Sequence, residues 1–199
     1  NSVRVPQKNY RKFNGKPLYQ YILETLLSFK KISKIIIDTN SPIVKEGIVK
    51  NYSLELDKII IYNRPIELSS GDTPVNKLLI NVIEKLNLTK EPITFLQTHT
   101  TNPLLQVSTI EQALDKYLSS DHDSLFTVKK LQTRLYTKKE NIQALNHNMN
   151  ELLPTQELEP LFEENSCLYI FTYNILKSKN HRIGYTPQIY IMDDLESTD

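Results

Sequence analysis

The feature that most constrains this chain is an alternation. Short runs rich in isoleucine, Lys34-Ile35-Ile36-Ile37-Asp38 and Lys58-Ile59-Ile60-Ile61-Tyr62, are separated by segments whose apolar residues recur every three or four positions. A continuous β-branched run of that length reads as a buried strand. The spacing of Leu18, Ile22, Leu23, Leu26 and Leu27 behind Pro17 predicts an amphipathic helix to about Lys30, since proline is favoured in a first turn. A shorter helix is expected from Pro42 to Asn51. Thr73 and Pro74 read as N-cap and first helical residue before Val75, Leu78, Leu79, Val82, Ile83 and Leu86. Ser108 and Glu111 read as a capping box for a helix carrying Ile110, Ala113, Leu114, Tyr117 and Leu118. Further strands are expected from Pro92 to Gln97, Asp123 to Val128 and Cys167 to Phe171.

Strands alternating with helices of this kind imply parallel strands joined by right-handed crossovers, with helices on both faces. The expected fold class is α/β: a three-layer sandwich around a mostly parallel twisted sheet, forming a single domain over residues 1–199. Ligands of such sheets lie outside the carboxyl ends of the strands, which directs attention to the loops beginning at Asp38, Asn63 and Gln97. The alternation breaks from about Lys129 to Glu164, where Tyr136, Asn146, His147, Asn148 and the stretch from Pro154 to Pro160 show no sustained period. That stretch reads as an excursion from the sheet, either a dimerisation arm or a lid. Leu131, Leu135, Tyr136, Leu152, Leu153, Leu161 and Phe162 give it more apolar surface than a solvated loop carries, which points to a homodimer contact.

Composition removes several alternatives. With 24 basic and 23 acidic residues, the charge balance favours neither nucleic acid nor a membrane surface as partner, so any phosphate-binding patch must be local. No apolar run approaches the length of a membrane span. The lone Cys167 cannot form an intramolecular disulfide, and its apolar surroundings mark it as a core residue rather than a nucleophile. No secretory leader is visible, and a cytoplasmic location is the default expectation.

The opening stretch, Asn1-Ser2-Val3-Arg4-Val5-Pro6-Gln7-Lys8-Asn9, combines hydroxyl, amide and cationic groups suited to a polyphosphate and a base edge. Together with Asn14-Gly15-Lys16-Pro17-Leu18, it resembles the nucleotide-binding signature of the CMP-sialic acid synthetases and their relatives that activate Kdo, legionaminic and pseudaminic acids. Further segments resemble that family in the same order. They are Arg64-Pro65-Ile66-Glu67-Leu68 with Gly71-Asp72-Thr73, Leu96-Gln97 with Thr101-Asn102-Pro103-Leu104, Glu164 to Phe171, and Tyr190-Ile191-Met192 to Ser197-Thr198-Asp199. Family members carry an apolar strand and Pro-Ala-Arg ahead of the position of Asn1, and a second aspartate two residues beyond that of Asp199. The resemblance therefore implies a chain incomplete at both functional ends.

What the resemblance implies can be carried over one position at a time. Lys8 is expected at the triphosphate, Asn9 at the cytosine and Ser2 near the phosphates, while Arg64, Asp72 and Asn76 fall where relatives approach the nucleotide. Read without the resemblance, Arg64 pairs with Glu67, Asp72 is a turn residue beside Gly71, and Asn76 is a solvated helix residue. Gln97 and His99, two apart at a strand end, share one face, with Thr98 and Thr100 on the other. Either Gln97 or His99 aligns with the glutamine that relatives place against the sugar acid, and Thr101 and Asn102 join them as substrate contacts. Asp199 is the expected ligand of Mg²⁺, a hard cation that takes carboxylate and phosphate oxygens.

The implied reaction is transfer of CMP from CTP to the anomeric hydroxyl of a 2-keto-3-deoxy sugar acid. A Kdo-type activity and a catalytically silent dimeric nucleotide-binding scaffold are the alternatives. Many sialic acid enzymes carry arginines where this chain has Leu105 and Pro154, and neither residue can clamp a carboxylate. A sugar acid other than N-acetylneuraminic acid is expected.

Overall fold

The computed structural model describes residues 7–90 and 92–198. In chain order the strands and helices are β1 (Lys12–Phe13), β2 (Lys16–Pro17), α1 (Leu18–Ser28), β3 (Ile35–Thr39), α2 (Pro42–Asn51), β4 (Ile59–Asn63) and α3 (Val75–Lys85). They continue as β5 (Thr94–Thr98), α4 (Val107–Leu118), β6 (Ser124–Leu131), β7 (Tyr136–Lys138), β8 (Ile142–Ala144), β9 (Leu161–Thr172), α5 (Tyr173–Lys179) and β10 (Pro187–Ile191).

The strands are sandwiched between two helical layers, and the period-2 geometry of each strand shows how. Ile35 and Ile59 pack with Tyr19 and Leu23 of α1 and Val44 and Ile48 of α2, while Ile36 and Tyr62 turn to the opposite face and meet Val82 and Ile83 of α3 and Leu176 of α5. The same split recurs in β5, β6 and β9. Leu96, Leu125, Leu168 and Ile170 face Ala113 of α4, and Phe95, Phe126, Tyr169 and Phe171 face α3 and α5. Strands buried on both faces need apolar residues at successive positions, which is why these runs do not alternate with polar ones.

The pairing is more mixed than the alternation implied. β3 and β4 are parallel, and β10 and β6 are parallel, but β9 runs antiparallel to both of its neighbours, β6 and β5. The order β10-β6-β9-β5 therefore puts the carboxyl ends of β5, β6 and β10 on one edge, beside the amino-terminal half of β9. β3 and β4 form a separate two-stranded ladder among the described residues, sharing the helical layers with the larger sheet.

Several local expectations need correction. β6 continues to Leu131 and β9 begins at Leu161, with Lys129, Lys130 and Leu131 opposite Glu163, Phe162 and Leu161. The two ends of the aperiodic stretch thus continue β6 and β9 of the sheet, and the β7-β8 hairpin lies between them. Charged residues at this exposed extension removed the apolar run by which a strand is recognised. The helix assigned to a Ser108–Glu111 capping box starts earlier: its N-cap is Gln106, with no side-chain cap, and the Gln106 N–H donates to Glu196 Oε2 at 3.3 Å. α3 begins at Val75 because Pro74, with ψ 136°, is still extended and serves as the N-cap in place of Thr73. α2 has the expected bounds, with Ser41 Oγ accepting from the Val44 N–H.

Candidate active site

β5 ends at Gln97-Thr98 and the chain runs on through His99 and Thr100. Gln97 and His99 meet on one side, Gln97 Nε2 lying 2.9 Å from His99 Nε2. One residue further on, the Thr100 hydroxyl donates to Asn9 Oδ1 at 2.9 Å. A residue expected at the base and residues expected at the acceptor are therefore joined through consecutive positions of one chain segment.

The Gln97–His99 pair converges on Arg182, which sequence reasoning missed. Arg182 Nη1 donates to Gln97 Oε1 and lies 3.4 Å from His99 Nε2. Because both Gln97 Nε2 and Arg182 Nη1 are donors, His99 Nε2 must be the acceptor in both contacts, which puts the ring proton on Nδ1. The guanidinium carbon is 3.5 Å from the centroid of the Tyr169 ring, a close cation–π stack. Burial pushes the Arg182 guanidinium below its ordinary range, opposed by Tyr169 and Glu164.

Two features hold this cluster in place. Between β6 and β9 the register shifts, so that Phe126 faces Tyr169 and Val128 faces Glu164, with the extra residues on β9. Ser166, with φ 57°, sits in the left-handed region inside that bulge, a conformation that a serine adopts only where its surroundings impose it. The bulge brings Glu164 and Ser166 back onto the Tyr169 hydroxyl, which donates to Glu164 Oε1 and lies 3.2 Å from Ser166 Oγ. Burial, reinforced by the bond to Glu164, pushes the Tyr169 phenol up to about 12, so the ring stays neutral.

The second feature is the loop between α5 and β10 that carries Arg182. Asn180 ends α5 at φ 52°. Asp123 Oδ2 then accepts the N–H groups of Tyr185 at 2.6 Å and Thr186 at 3.1 Å, and the Gly184 N–H donates to Ser124 Oγ at 2.7 Å. Burial works to raise the Asp123 pKa, but these backbone bonds and the Ser124 hydroxyl outweigh it and hold the carboxyl below the usual aspartate range. A Cβ at Gly184 would run into the Asp123 carboxyl group, so only glycine fits there. The Arg182 N–H itself donates to Asn76 Oδ1 at 3.3 Å, tying the loop to the start of α3.

The remaining expected site residues are distributed as follows. Lys8 and Asn9 lie in a 3-10 turn over Lys8–Tyr10, entered through Gln7 at φ 61°. Arg64 bonds to Asp38 rather than Glu67: Nε reaches Asp38 Oδ1 at 3.0 Å and Nη2 reaches the Asp38 carbonyl at 3.0 Å. Asp72 is exposed in a turn, where its N–H donates to Ser70 Oγ at 3.3 Å. Asn76 is joined to the Gln97–His99 cluster through Arg182. Thr101 is half-buried. Asn102 is 1% exposed, its Nδ2 donating to Cys167 Sγ at 3.0 Å, so it belongs to the packed layer beneath β5 and not to the Arg182 cluster. Ser2 and Asp199 lie outside the described residues.

Arg182 escaped notice because α5 and β10 were not recognised as elements, which left the connecting loop unplaced. The Asn180 and Gly184 that bracket it were the available signal, since both residue types mark left-handed or closely approached backbone.

An amide side chain, a cation on an aromatic floor and a pair of polar side chains at a strand's carboxyl end are suited to holding a nucleotide beside an anionic acceptor. Comparison with known proteins agrees. The cytidylyltransferase family model matches residues 1–194. Pseudaminic acid cytidylyltransferases from two Campylobacter jejuni serotypes are 22% identical over 175 residues, covering 86% of this chain and 74% of theirs. Among solved structures, a CMP:2-keto-3-deoxy-manno-octonic acid synthetase complexed with CTP superposes with a TM-score of 0.59 at 16% identity, over 90% of this chain and 73% of the other. A 4-diphosphocytidyl-2C-methyl-D-erythritol synthase superposes with a TM-score of 0.68 at 8% identity, over 95% and 87%. Its fold and a family match running through nearly its whole length establish that this chain belongs to the cytidylyltransferases.

Proposed function

We propose that the protein transfers CMP from CTP to the anomeric hydroxyl of a 2-keto-3-deoxy sugar acid. The observation that carries this reading is the junction at the end of β5, where Asn9 meets Thr100 while Gln97 and His99 gather around Arg182. In the reaction the anomeric oxygen forms a bond to the α-phosphorus, the bond from that phosphorus to the pyrophosphate oxygen breaks, and the hydroxyl proton is released. The chain's part is alignment and charge neutralisation: Lys8 at the triphosphate, Asn9 at the cytosine, and Arg64, Asp72 and Asn76 around the nucleotide.

Mg²⁺ is the proposed metal, with Asp199 as its protein ligand; bound to the phosphates, it offsets their charge and orients them. Among the described residues no group of three or more metal-binding side chains occurs. A cation held by one carboxylate and the substrate's own phosphates requires no such group. The tail carboxylates before it have other partners: Asp194 pairs with Lys129 at 3.3 Å and Glu196 accepts from Gln106.

Pseudaminic acid, the substrate in the names of the Campylobacter jejuni relatives, is the first acid to try. N-acetylneuraminic acid is proposed to be a poor substrate, because Leu105 is 2% exposed and packed among Ile22, Phe29 and Ile110, where no cation can be offered. The arm over residues 129–164 is proposed to carry a homodimer contact. Among the described residues no helix is long and apolar enough to cross a membrane.

Pyrophosphate release from each of the four nucleoside triphosphates, measured with Mg²⁺ across several keto-deoxy sugar acids, tests base, acceptor and reaction together. CTP with at least one such acid is the expected pair, and release that does not depend on the acid would overturn the reading. In Asn9→Ala, CTP use should weaken by about 1–3 kcal/mol, the cost of a polar base edge left unpaired. Unchanged preference for CTP over UTP in that variant would remove Asn9 from the base site.

A further inference from the structure

We propose that Arg182 is the clamp for the acceptor's C1 carboxylate, replacing the cations absent at Leu105 and Pro154. This inference rests on the sugar-acid reading above and names the group that recognises the acid.

The argument begins with charge. Arg182 is partly buried, and among the described residues it forms no ion pair with a carboxylate. Its partners are neutral: the Gln97 carbonyl oxygen, His99 Nε2 and the Tyr169 ring face. Glu164, whose field reaches Arg182, bonds to the Tyr169 hydroxyl instead. A guanidinium taken partly out of water with no carboxylate bonded to it is costly to keep, and such groups persist where a ligand supplies a directly paired charge.

Geometry says which ligand fits. The guanidinium is a planar fork whose spare N–H groups match the two oxygens of a carboxylate. It rests over the Tyr169 ring, and its position is held by Gln97 and by the backbone bonds that Asp123, Ser124 and Asn76 make to its loop. The loop is thus fixed before any ligand arrives, so little ordering is required on binding. Thr100, which holds Asn9, directly follows His99 of the cluster, so an acid on Arg182 is beside the proposed nucleotide. Gln97 and His99 then act as positioning residues that also remain close to the acid.

The C1 carboxylate is common to all keto-deoxy sugar acids. Arg182 therefore separates acids from neutral sugars, and discrimination among the acids falls to other side chains.

The test uses the full protein with saturating CTP and Mg²⁺, measuring pyrophosphate release against the best sugar acid and its C1 carboxamide. Wild type is expected to prefer the acid by about 100-fold in kcat/KM, the scale for losing one partner of a desolvated charge pair. In Arg182→Gln, KM for the acid should rise about 100-fold while KM for CTP changes less than about threefold, and the preference for acid over carboxamide should collapse. Arg182→Lys keeps the charge without the fork and should fall between, at about a tenfold rise. A wild-type enzyme that uses acid and carboxamide equally well overturns the clamp even where neither variant folds. So does an Arg182→Gln enzyme with unchanged KM for the acid. If wild type turns over no sugar acid, the functional reading and this inference fall together; if it does and Arg182→Gln behaves as wild type, only the clamp falls.

Discussion

Arg64 and Arg182 are both half-buried arginines, yet the two regions that hold them solve the problem of a buried cation in opposite ways. Beside β3 and β4, Arg64 is matched by the Asp38 carboxylate and the Asp38 carbonyl. Beside β5 and β9, Arg182 is gripped by neutral groups and its loop is pinned through the backbone. An internal carboxylate orients a guanidinium and cancels its charge, whereas neutral partners orient it and leave the charge to be met from outside. The first arrangement builds structure; the second builds a site.

The largest expected effect follows from the way the second region is fixed. Gly184→Ala forces a methyl group onto the Asp123 carboxyl group, and we expect a loss of about 2–3 kcal/mol in urea unfolding, the scale of overpacking. Asp123→Ala removes the acceptor of the Tyr185 and Thr186 N–H groups and should cost about 1–3 kcal/mol. Because both changes act on one contact they should not add: in the Asp123→Ala background, Gly184→Ala should cost less by about 1–2 kcal/mol. Equal cost in both backgrounds would mean that the glycine serves some other purpose.

The same carboxylate gives a pH signature. Its folded pKa lies below the ordinary aspartate value of 3.8, so its contribution is fully present above that value and is lost as the pH falls through the folded pKa. Wild-type stability should therefore drop more steeply than that of Asp123→Ala below about pH 4. Parallel curves would remove Asp123 from the account.

A smaller effect is expected in the first region. The Arg64 and Asp38 side chains retain 27% and 18% of their exposure, so water screens the pair. A double-mutant cycle of Arg64→Ala and Asp38→Ala should give a coupling of about 1 kcal/mol or less. A coupling larger than the effects at Asp123 would invert the comparison, making the β3–β4 ion pair the stronger anchor.

These contrasts also explain what the sequence could and could not convey. The isoleucine runs and the helices with strong three- and four-residue spacing were legible because burial on two faces leaves a local pattern. The direction of β9 was not, since a strand's residues report what covers its faces and not which way its neighbours run. Asn9 is expected at the base on resemblance alone, whereas Gln97 and His99 were readable as a pair from the period of a strand. Their meeting point at Arg182 depends on Asp123, Asn76 and Tyr169, which are distant in the chain and converge only once the sheet forms. Asn102 was named from the resemblance of Thr101-Asn102-Pro103-Leu104 to a family segment, and its burial against Cys167 is a tertiary fact that no local pattern conveys.

The smallest expected change in stability comes from the arm, and it sharpens the contrast between regions whose apolar residues are covered and one whose apolar residues are exposed. The arm is built with its polar groups turned inward on each other. Gln132 Nε2 donates to the Thr155 and Leu158 carbonyls at 3.0 and 2.8 Å, and Asn146 Nδ2 donates to the Thr133 and Glu159 carbonyls at 2.8 and 3.0 Å. Tyr136, Ile142, Leu145, Met149, Leu152 and Phe162 are left exposed. Leu152, at 88% exposure, contributes almost nothing to the fold of one subunit, so Leu152→Glu should alter urea stability at low protein concentration by less than about 0.5 kcal/mol. The same charge placed in an apolar contact between subunits would be desolvated without a partner and should dissociate it. Light scattering at micromolar concentration is expected to show a dimer for wild type and a monomer for Leu152→Glu. A monomeric wild type would end the proposal that the arm pairs two subunits, and an unaffected dimer would move the contact away from Leu152.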